Sequence, residues 1–458
     1  MKKVLLIAFY FNQTNEIASK RLRGLAKYLP QFGWEPIVIV PKLKNTPCYN
    51  NYDYNFKIIE TDYEDMLDIW LNKFKNNDKS KKPIKNSDIS NNISENIDNN
   101  TRKNTKKNTR NNKRNNKNNI KTKNKLFSTA ISIAGEFFAY PDGMKYWYEP
   151  AIEVSKEAIE INDIQTIISS SWPVTSHIIA KNLTQEYNLK WIADLRDLWN
   201  MNPYVNHTFI RNHFEKNLEI ETFKYADILT TTTDLAGETL QKIHPNKKIC
   251  TIMSGFDIED ITENNTPEDT GKLNFTYAGS LYGGKRDPTF LFSGIRQLID
   301  EGKIDPKILE LDFYGDNVGL EKIAKKYKIE ELVNIHGSIP HNEVLKIQKK
   351  SQGLLLISWN NEKEKIFLPG KIYEYLAAKR PVLSIGYKEG SLKDLIEKTN
   401  IGYHVSTLDE TKKGLMDLYN NFITNKSLKY TGNSEVNNYS MLATAQKFGK
   451  LLDSLEKN

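Results

Sequence analysis

The sequence predicts an α/β protein with two doubly wound domains, each built around a parallel sheet. The chain has 458 residues, which is too long for one core, and 39% of them are hydrophobic, which is enough for packed domains. Short apolar runs alternate with helical stretches along most of the chain, as in successive βα units. The alternation forms two consecutive sets separated by a polar linker, so we predict two domains of the same kind.

The first set begins at residues 4–9, a fully apolar run that is typical of a strand buried on both faces. A signal peptide is the weaker interpretation, because the run is short and lacks a small-residue cleavage site. Helices are predicted over residues 17–32 and near 63–74. The other strands predicted in this set are residues 34–40, 56–60, 166–170, 190–193, 228–232 and 249–253.

Residues 75–125 interrupt the first set and differ from it in composition. They contain sixteen Lys/Arg and four Asp/Glu, a net charge of +12, which leaves −4 of the formal +8 for the rest of the chain. Because they have almost no large apolar side chains to offset conformational entropy, we predict a disordered basic insert. Two interpretations stay open: non-specific contact with anionic lipid or nucleic acid through charge, and codon-driven drift in an AT-rich genome.

The second set follows a polar segment that runs to residue 271, the predicted interdomain linker. Its strands are predicted at residues 274–277, 309–313, 333–336, 353–357, 381–385 and 403–405. The predicted domains are residues 1–74 with 126–255, then residues 256–436, with a C-terminal helix at 437–458 that returns to the first domain. Ligands of doubly wound sheets bind at the carboxyl ends of the strands, so the two sheets are expected to face each other across a cleft.

Several functional classes lack their motifs in this sequence. No G-x-G-x-x-G follows the first strand and no G-x-x-x-x-G-K-[ST] occurs, which disfavours dinucleotide oxidoreductases and P-loop NTPases. No Cys/His cluster has zinc spacing and no Asp-x-Asp turn is found, so no metal site is predicted. The two cysteines, Cys48 and Cys250, give no disulfide framework and indicate a reducing compartment. Without an apolar run of ~20 residues, no transmembrane helix is expected.

The segment from Lys371 to Leu383, KIYEYLAAKRPVL, carries the first candidate site. A loop ending at Gly370 opens a short helix, with Lys371 in its first turn and Glu374 one turn later. The unpaired N–H groups of a helix start suit a phosphate, and the carboxylate can accept a hydrogen bond from a ribose hydroxyl. The segment therefore fits a nucleotide diphosphate-sugar, although an ordinary αβ connection with surface charges has the same pattern.

A Gly-rich turn after a predicted strand carries the second candidate site, in the sequence YAGSLYGGKRDP. Gly279 and Ser280 stand at the end of the strand, where a glycine lets a phosphate approach the backbone. Lys285 or Arg286 can then neutralise the phosphate. The alternative is a βα loop with solvated charges.

Two strand ends in the first domain supply the remaining candidates. In WIADLRDLW an apolar strand ends in Asp194, Arg196 and Asp197, and Asp197 is expected to face the cleft. A structural Arg–Asp pair is the alternative. In SWPVTSH, His177 lies between a strand and a helix, where it either contacts a substrate or caps the helix.

Taken together, these segments resemble the GT-B glycosyltransferases of the retaining family 4 over nearly the whole chain except the insert. WIADLRDLW resembles the "DxRDpW" element of surface-polysaccharide members, and SGFD at residues 254–257 resembles their interdomain "NGFD". YAGSLYGGKRDP is similar to the phosphate-binding turn, and KIYEYLAAKRPVL to "KxxEYxAxxxPV", whose glutamate holds the ribose. The resemblance implies two Rossmann-like domains that face each other across a cleft (GT-B).

The resemblance also implies an activity: transfer of a hexosyl group from a nucleotide diphosphate-sugar to an acceptor hydroxyl, with retention and without a metal, in surface polysaccharide or glycoconjugate synthesis. It implies no cofactor beyond this donor, which is a co-substrate, and a saccharide or lipid-linked saccharide acceptor. The residues it assigns to the donor are Gly279, Ser280, Lys285, Arg286, Gly370, Lys371 and Glu374. The residues that we predict to take part in catalysis are Asp197, His177, Arg286 and Lys371.

The sequence departs from the family pattern at two places. The first glutamate of the family's Glu, seven residues, Glu signature is Ile366 here, although Glu362 and Glu364 stand nearby. The Gly-Arg of the phosphate turn is Gly279-Ser280, so the cationic role falls to Lys285 or Arg286.

Two other functions stay open. One is a nucleotide-sugar 2-epimerase of the same fold, and the other is a non-catalytic binding or scaffold protein, which Ile366 suggests. We expect a cytoplasmic protein without a specific nucleic-acid partner, and the basic insert leaves open a peripheral contact with an anionic membrane at its inner face.

Overall fold

The computed structural model describes residues 1–13, 17–43, 56–66, 69, 140–205, 207–261 and 267–457. The insert predicted at residues 75–125 lies outside these ranges, as does most of the helix predicted near 63–74.

The first domain is built on a seven-stranded parallel sheet in the order β3-β2-β1-β4-β5-β6-β7. Its strands are β1 (Lys2–Ile7), β2 (Trp34–Pro41), β3 (Lys57–Thr61), β4 (Thr166–Ser170), β5 (Lys190–Leu195), β6 (Ile228–Thr231) and β7 (Lys248–Thr251). Its helices are α1 (Ile17–Tyr28), α2 (Tyr148–Asn162), α3 (Thr175–Tyr187), α4 (Phe209–Phe223) and α5 (Asp234–Gln241). The helix predicted over 17–32 ends earlier, because Pro30 opens a separate 3-10 turn that stops at Gly33 in the left-handed region.

The second domain repeats the arrangement with a six-stranded parallel sheet in the order β10-β9-β8-β11-β12-β13. Its strands are β8 (Leu273–Ala278), β9 (Leu309–Tyr314), β10 (Val333–Gly337), β11 (Gly353–Ile357), β12 (Val382–Ile385) and β13 (Gly402–Val405). Its helices are α6 (Thr289–Asp300), α7 (Leu320–Lys326), α8 (His341–Lys350), α9 (Lys371–Ala378), α10 (Ser391–Thr399) and α11 (Leu408–Asn425). The predicted fold class, two doubly wound parallel-sheet domains, is confirmed.

The last helix, α12 (Met441–Glu456), packs against α1 of the first domain. Met441, Phe448 and Leu452 are buried in the same apolar cluster as Leu22 of α1 and the core-facing residues of β1. Further 3-10 helices cover Leu29–Phe32, Lys145–Trp147, Ile258–Asp260, Tyr282–Gly284, Glu330–Leu332, Glu362–Ile366 and Ser434–Tyr439.

The strand order positions the ligand crevice of each domain. It reverses between β1 and β4 in the first sheet and between β8 and β11 in the second. The loops that leave the carboxyl ends of strands beside such a reversal form the binding crevice of a doubly wound sheet. In this protein those loops include the turn after β8 and the segment between β11 and α9, which carry most of the candidate donor residues.

Candidate functional site

A cavity of about 810 Å³ lies between the two domains. The first domain lines it with α1 and the segment after β5, including Arg196 and Asp197. The second domain lines it with the start of α8 and with α9, including Gly370 and Glu374. The structure thus brings candidates from both domains to one cleft.

Glu374 lies one turn into α9 and is held by three polar side chains, Lys20 of α1 and His341 and Gln348 of α8. Oε1 accepts a hydrogen bond from Lys20 Nζ of α1 at 2.8 Å and lies 3.1 Å from His341 Nε2, while Gln348 Nε2 donates to Oε2 at 3.3 Å. Burial acts to raise the pKa of Glu374, but the hydrogen bond from His341 and the charge of Lys20 outweigh it and lower the pKa to about 2. The carboxylate is therefore ionised, and Oε2 keeps a lone pair for another donor.

Lys371 lies in the first turn of the same helix, with its ammonium group enclosed by the turn after β8. Its Nζ is 4.1 Å from the ring centroid of Tyr277 and has no hydrogen-bond partner among the described residues. Gly279 has a φ of +145°, which favours glycine, and a Cβ at this position would come 2.5 Å from this nitrogen. Burial, reinforced by the charge of Arg286, lowers the pKa of Lys371 to about 7. A buried amine without a partner is costly, and an anion at this position would relieve that cost.

The Gly-rich turn is held by two side chains that donate hydrogen bonds to its backbone. The Ser280 carbonyl accepts from the Tyr277 hydroxyl at 2.9 Å and from Arg286 Nη1 at 3.4 Å. The guanidinium of Arg286 lies 4.4 Å from the ring of Tyr282. The charge of Arg286 contributes to the lowered pKa of Lys371, so the two cations repel each other in the absence of an anion.

Lys285 lies against aromatic side chains of both domains. Its Nζ lies 5.2 Å from the ring of Trp359 and 5.9 Å from the ring of Tyr204, which belongs to the first domain. The Tyr204 hydroxyl donates a hydrogen bond to Glu364. Burial raises the pKa of Glu364, against the hydrogen bond from Tyr204 and the charges of Arg286 and Lys285.

The acidic residues at the end of β5 and just after it divide into a structural and a cleft-facing carboxylate. Asp194 is the structural one: it lies within β5 and accepts two bonds from Arg21, at 2.9 and 2.8 Å, with both side chains almost fully buried. Asp197 is partly exposed on the cavity wall, 3.9 Å from Arg196 Nε. Arg196 in turn donates to the carbonyl of Ala18 at the start of α1.

His177 is not brought to the cleft, in contrast to our expectation that it could face the acceptor or the donor sugar. Its side chain is fully buried on α3, with Nδ1 2.7 Å from Ser169 Oγ and the ring packed edge-on against Phe223. Burial lowers the pKa of His177 to about 3, so the ring is neutral. The sequence pattern was misleading because the loop after β4 turns the first residues of α3 into the core.

The departure at Ile366 is explained by the packing. Ile366 is buried in the apolar core of the first domain, and its carbonyl accepts from Thr233 Oγ1 at 2.7 Å. Glu362 is paired with Lys365 at 2.8 Å on the surface, whereas Glu364 faces the first domain. The residues that sequence reasoning missed are Lys20, Tyr204 and His341. They reach the site from distant segments and carry no motif.

The described parts of the chain contain no cluster of three or more His, Cys, Asp or Glu side chains that could hold a metal ion. Across the same residues, no helix is long and apolar enough to cross a membrane.

The similarity of this chain to known proteins lies in its fold. No protein-family model matches the chain, and no curated protein matches its sequence. The structure is similar to sucrose-phosphate synthase from Thermosynechococcus elongatus, with 14% identity, a TM-score of 0.59 and 100% of both chains covered. It is similar to HepE from Anabaena, solved with UDP, with 10% identity, a TM-score of 0.55 and coverage of 99% of this chain and 100% of that one.

A third similar structure, from Listeria monocytogenes, is assigned as a UDP-N-acetylglucosamine 2-epimerase. It has 12% identity and a TM-score of 0.52, with 100% of this chain and 98% of that chain covered. These likenesses define the class of architecture: the chain has the GT-B fold, in which two doubly wound domains face each other across a ligand cleft.

Proposed function

We propose that the protein is a glycosyltransferase that moves a sugar from a nucleotide diphosphate-sugar to an acceptor hydroxyl. The observation that carries this proposal is the buried Lys371 ammonium, which has no partner among the described residues and lies against Gly279. One helical turn away is an ionised carboxylate, Glu374, on the wall of the cleft. A cation for a diphosphate and an acceptor for ribose hydroxyls at this spacing suit a nucleotide diphosphate.

The reaction would break the bond between the anomeric carbon and the diphosphate oxygen, form a bond to the acceptor oxygen, and pass the proton of the acceptor hydroxyl to the departing diphosphate. Positive charge develops on the sugar ring, and negative charge develops on the departing diphosphate. Lys371 and Arg286 would stabilise that negative charge, together with the backbone N–H groups after Gly370 at the start of α9. Because these groups are already in place, they act without reorganisation when the charge develops.

The remaining details follow from the resemblance and stay part of the proposal. They are a hexosyl donor, retention at the anomeric carbon, a reaction independent of metal ions, and an acceptor in cell-surface polysaccharide or glycoconjugate synthesis. Asp197, on the first-domain wall, would face the acceptor. HepE binds UDP and UDP-glucose, which makes these two compounds suitable first probes.

A thermal-shift screen with nucleoside diphosphates and nucleotide-sugars tests the proposal, because a ligand that binds only the folded state raises the unfolding midpoint. The nucleotide-sugars UDP-glucose, ADP-glucose and GDP-mannose should be compared with the nucleoside diphosphates UDP, ADP and GDP. The variant Lys371→Met should lose the shift, whereas Lys365→Met, on the surface and paired with Glu362, should keep it. No shift with any compound would contradict the proposal, and loss of transfer in EDTA with rescue by Mn²⁺ would contradict metal independence.

The similarity to the Listeria structure favours one second candidate, a nucleotide-sugar 2-epimerase. Incubation with the donor alone separates the two, because an epimerase isomerises the sugar while a transferase at most hydrolyses the donor slowly. Donor binding without turnover across a broad acceptor panel would instead favour a binding or scaffold protein, as the loss of the motif glutamate at Ile366 suggests.

A further inference from the structure

Lys20 reaches from the first domain to the carboxylate that the proposed function assigns to the ribose. It lies in α1, and its Nζ is 2.8 Å from Glu374 Oε1 on α9 of the second domain. Both side chains are largely buried, with 28% and 19% of their surfaces exposed. Both also line the cavity between the domains, so the contact joins the two walls of the cleft in which a nucleotide would bind.

The surroundings of Glu374 leave little room for further hydrogen-bond donors. His341 Nε2 is 3.1 Å from Oε1 and 2.5 Å from Lys20 Nζ, so these two groups crowd the same oxygen. Gln348 Nε2 donates to Oε2 at 3.3 Å. A carboxylate has about four positions for donors, two on each oxygen. With these three side chains in place, one position stays open, on Oε2.

A ribose offers two neighbouring hydroxyl groups, the 2′- and the 3′-hydroxyl. One of them can use the open position, but the other has to replace a group that already contacts the carboxylate. Of the three neighbours, Lys20 is the one that can leave. His341 and Gln348 both belong to α8 of the same domain as Glu374, whereas Lys20 reaches from the other domain on a flexible four-carbon side chain.

We propose that Lys20 competes with the ribose for Glu374 and thereby sets how strongly the protein distinguishes ribonucleotides from 2′-deoxyribonucleotides. This inference rests on the proposed function, since it takes Glu374 as the ribose contact. A ribonucleotide gains a second hydrogen bond to Glu374 but breaks the Lys20–Glu374 ion pair, so its 2′-hydroxyl adds little affinity. A 2′-deoxyribonucleotide uses only the open position and leaves the ion pair intact. Binding of a ribonucleotide therefore also releases a contact between the two domains.

Calorimetry with a nucleoside diphosphate and its 2′-deoxy form tests this inference, using whichever of UDP, ADP and GDP the wild type binds most tightly. Lys20→Met removes the competitor, and Lys27→Met is the matched control. Lys27 lies about two turns further along α1, lines the same cavity and pairs with Asp257 at 2.7 Å. Its replacement therefore removes the same charge from the same wall of the cleft without removing a partner of Glu374.

Compared with Lys27→Met, the variant Lys20→Met should bind the ribonucleotide up to about fivefold more tightly, which is the scale of a partly exposed ion pair. The two variants should bind the 2′-deoxy form equally. In a Glu374→Ala background they should also bind the ribonucleotide equally, because no carboxylate remains for which Lys20 and the ribose compete.

Three results would overturn this inference: ribonucleotide binding by Lys20→Met that is no tighter than that by Lys27→Met, an equal gain with the 2′-deoxy form, or a gain that persists in Glu374→Ala. A wild type that binds none of the three nucleoside diphosphates would instead overturn the proposed function on which the inference rests.

Discussion

The affinity for a nucleotide-sugar is predicted to fall as the pH rises above about 7, because Lys371 must carry a proton to hold the diphosphate. In the free protein, burial and the charge of Arg286 lower the pKa of Lys371 to about 7. A bound diphosphate adds negative charge beside the amine and raises this pKa, so binding takes up a proton. Below pH 7 the free amine is mostly protonated and the affinity is nearly constant. Above pH 7 each pH unit costs roughly tenfold in affinity.

The magnitude follows from the protonated fraction of the free amine. It is about one half at pH 7 and about one hundredth at pH 9, so the affinity should fall roughly fiftyfold over this range. The charged groups that face Lys371 are Arg286 on the Gly-rich turn and Glu374 on the same helix, and Tyr277 lies under it on β8. The pKa of Glu374 is about 2 and that of Tyr277 is raised, so neither residue titrates between pH 7 and 9.

Calorimetry with UDP-glucose, or with whichever nucleotide-sugar the screen selects, measures this dependence directly. A nucleotide-sugar has no phosphate that titrates in this range. Repeating the measurement in buffers of different ionisation enthalpy should show uptake of nearly one proton at pH 8. The variant Lys371→Arg keeps a permanent charge and should lose most of the slope, leaving the contribution of His341, whose pKa is raised by its hydrogen bond to Glu374. A wild-type affinity that stays constant from pH 7 to 9, or an equal slope in Lys371→Arg, would refute the reasoning.

Three further predictions concern the ribose contact, the first-domain core and the insert. Glu374→Ala should weaken the binding of a nucleoside diphosphate and of its nucleotide-sugar by the same amount, about 1–3 kcal/mol. If calorimetry gives the same affinity for the variant and the wild type, Glu374 does not bind the ribose. Asp194→Ala removes the carboxylate that neutralises the buried guanidinium of Arg21 and should lower the free energy of unfolding by about 3–5 kcal/mol in urea titrations. A decrease no larger than that caused by replacing an exposed carboxylate would show the pair to be dispensable. Deletion of residues 76–124 should leave folding and transfer activity nearly intact, because that stretch lacks apolar residues for a core. Vesicle cosedimentation at low and high salt then shows whether its charge contributes to membrane binding, and unfolding on deletion would contradict the prediction of disorder.

The sequence by itself determined the fold class and predicted where the candidate donor residues lie in the chain. Fully apolar runs such as residues 4–9 and 353–357 indicate strands buried on both faces, and their alternation with helices indicates parallel sheets. The local chemistry of a helix start is also readable, since Gly370, Lys371 and Glu374 lie within one turn and their spacing places them together. These features depend on contacts between residues that are close in the chain.

Only the tertiary structure decided which polar residues face the cleft. Asp194 and Asp197 are three residues apart, yet one is enclosed with Arg21 and the other lines the cavity, because the strand continues to Leu195 before the chain turns. His177 and Ile366 are directed into the core of the first domain in the same way. Glu364 meets Tyr204 across 160 residues of chain, and Glu374 meets Lys20 across 354. Such contacts depend on how the two domains pack against each other, and no local pattern in the chain specifies that packing.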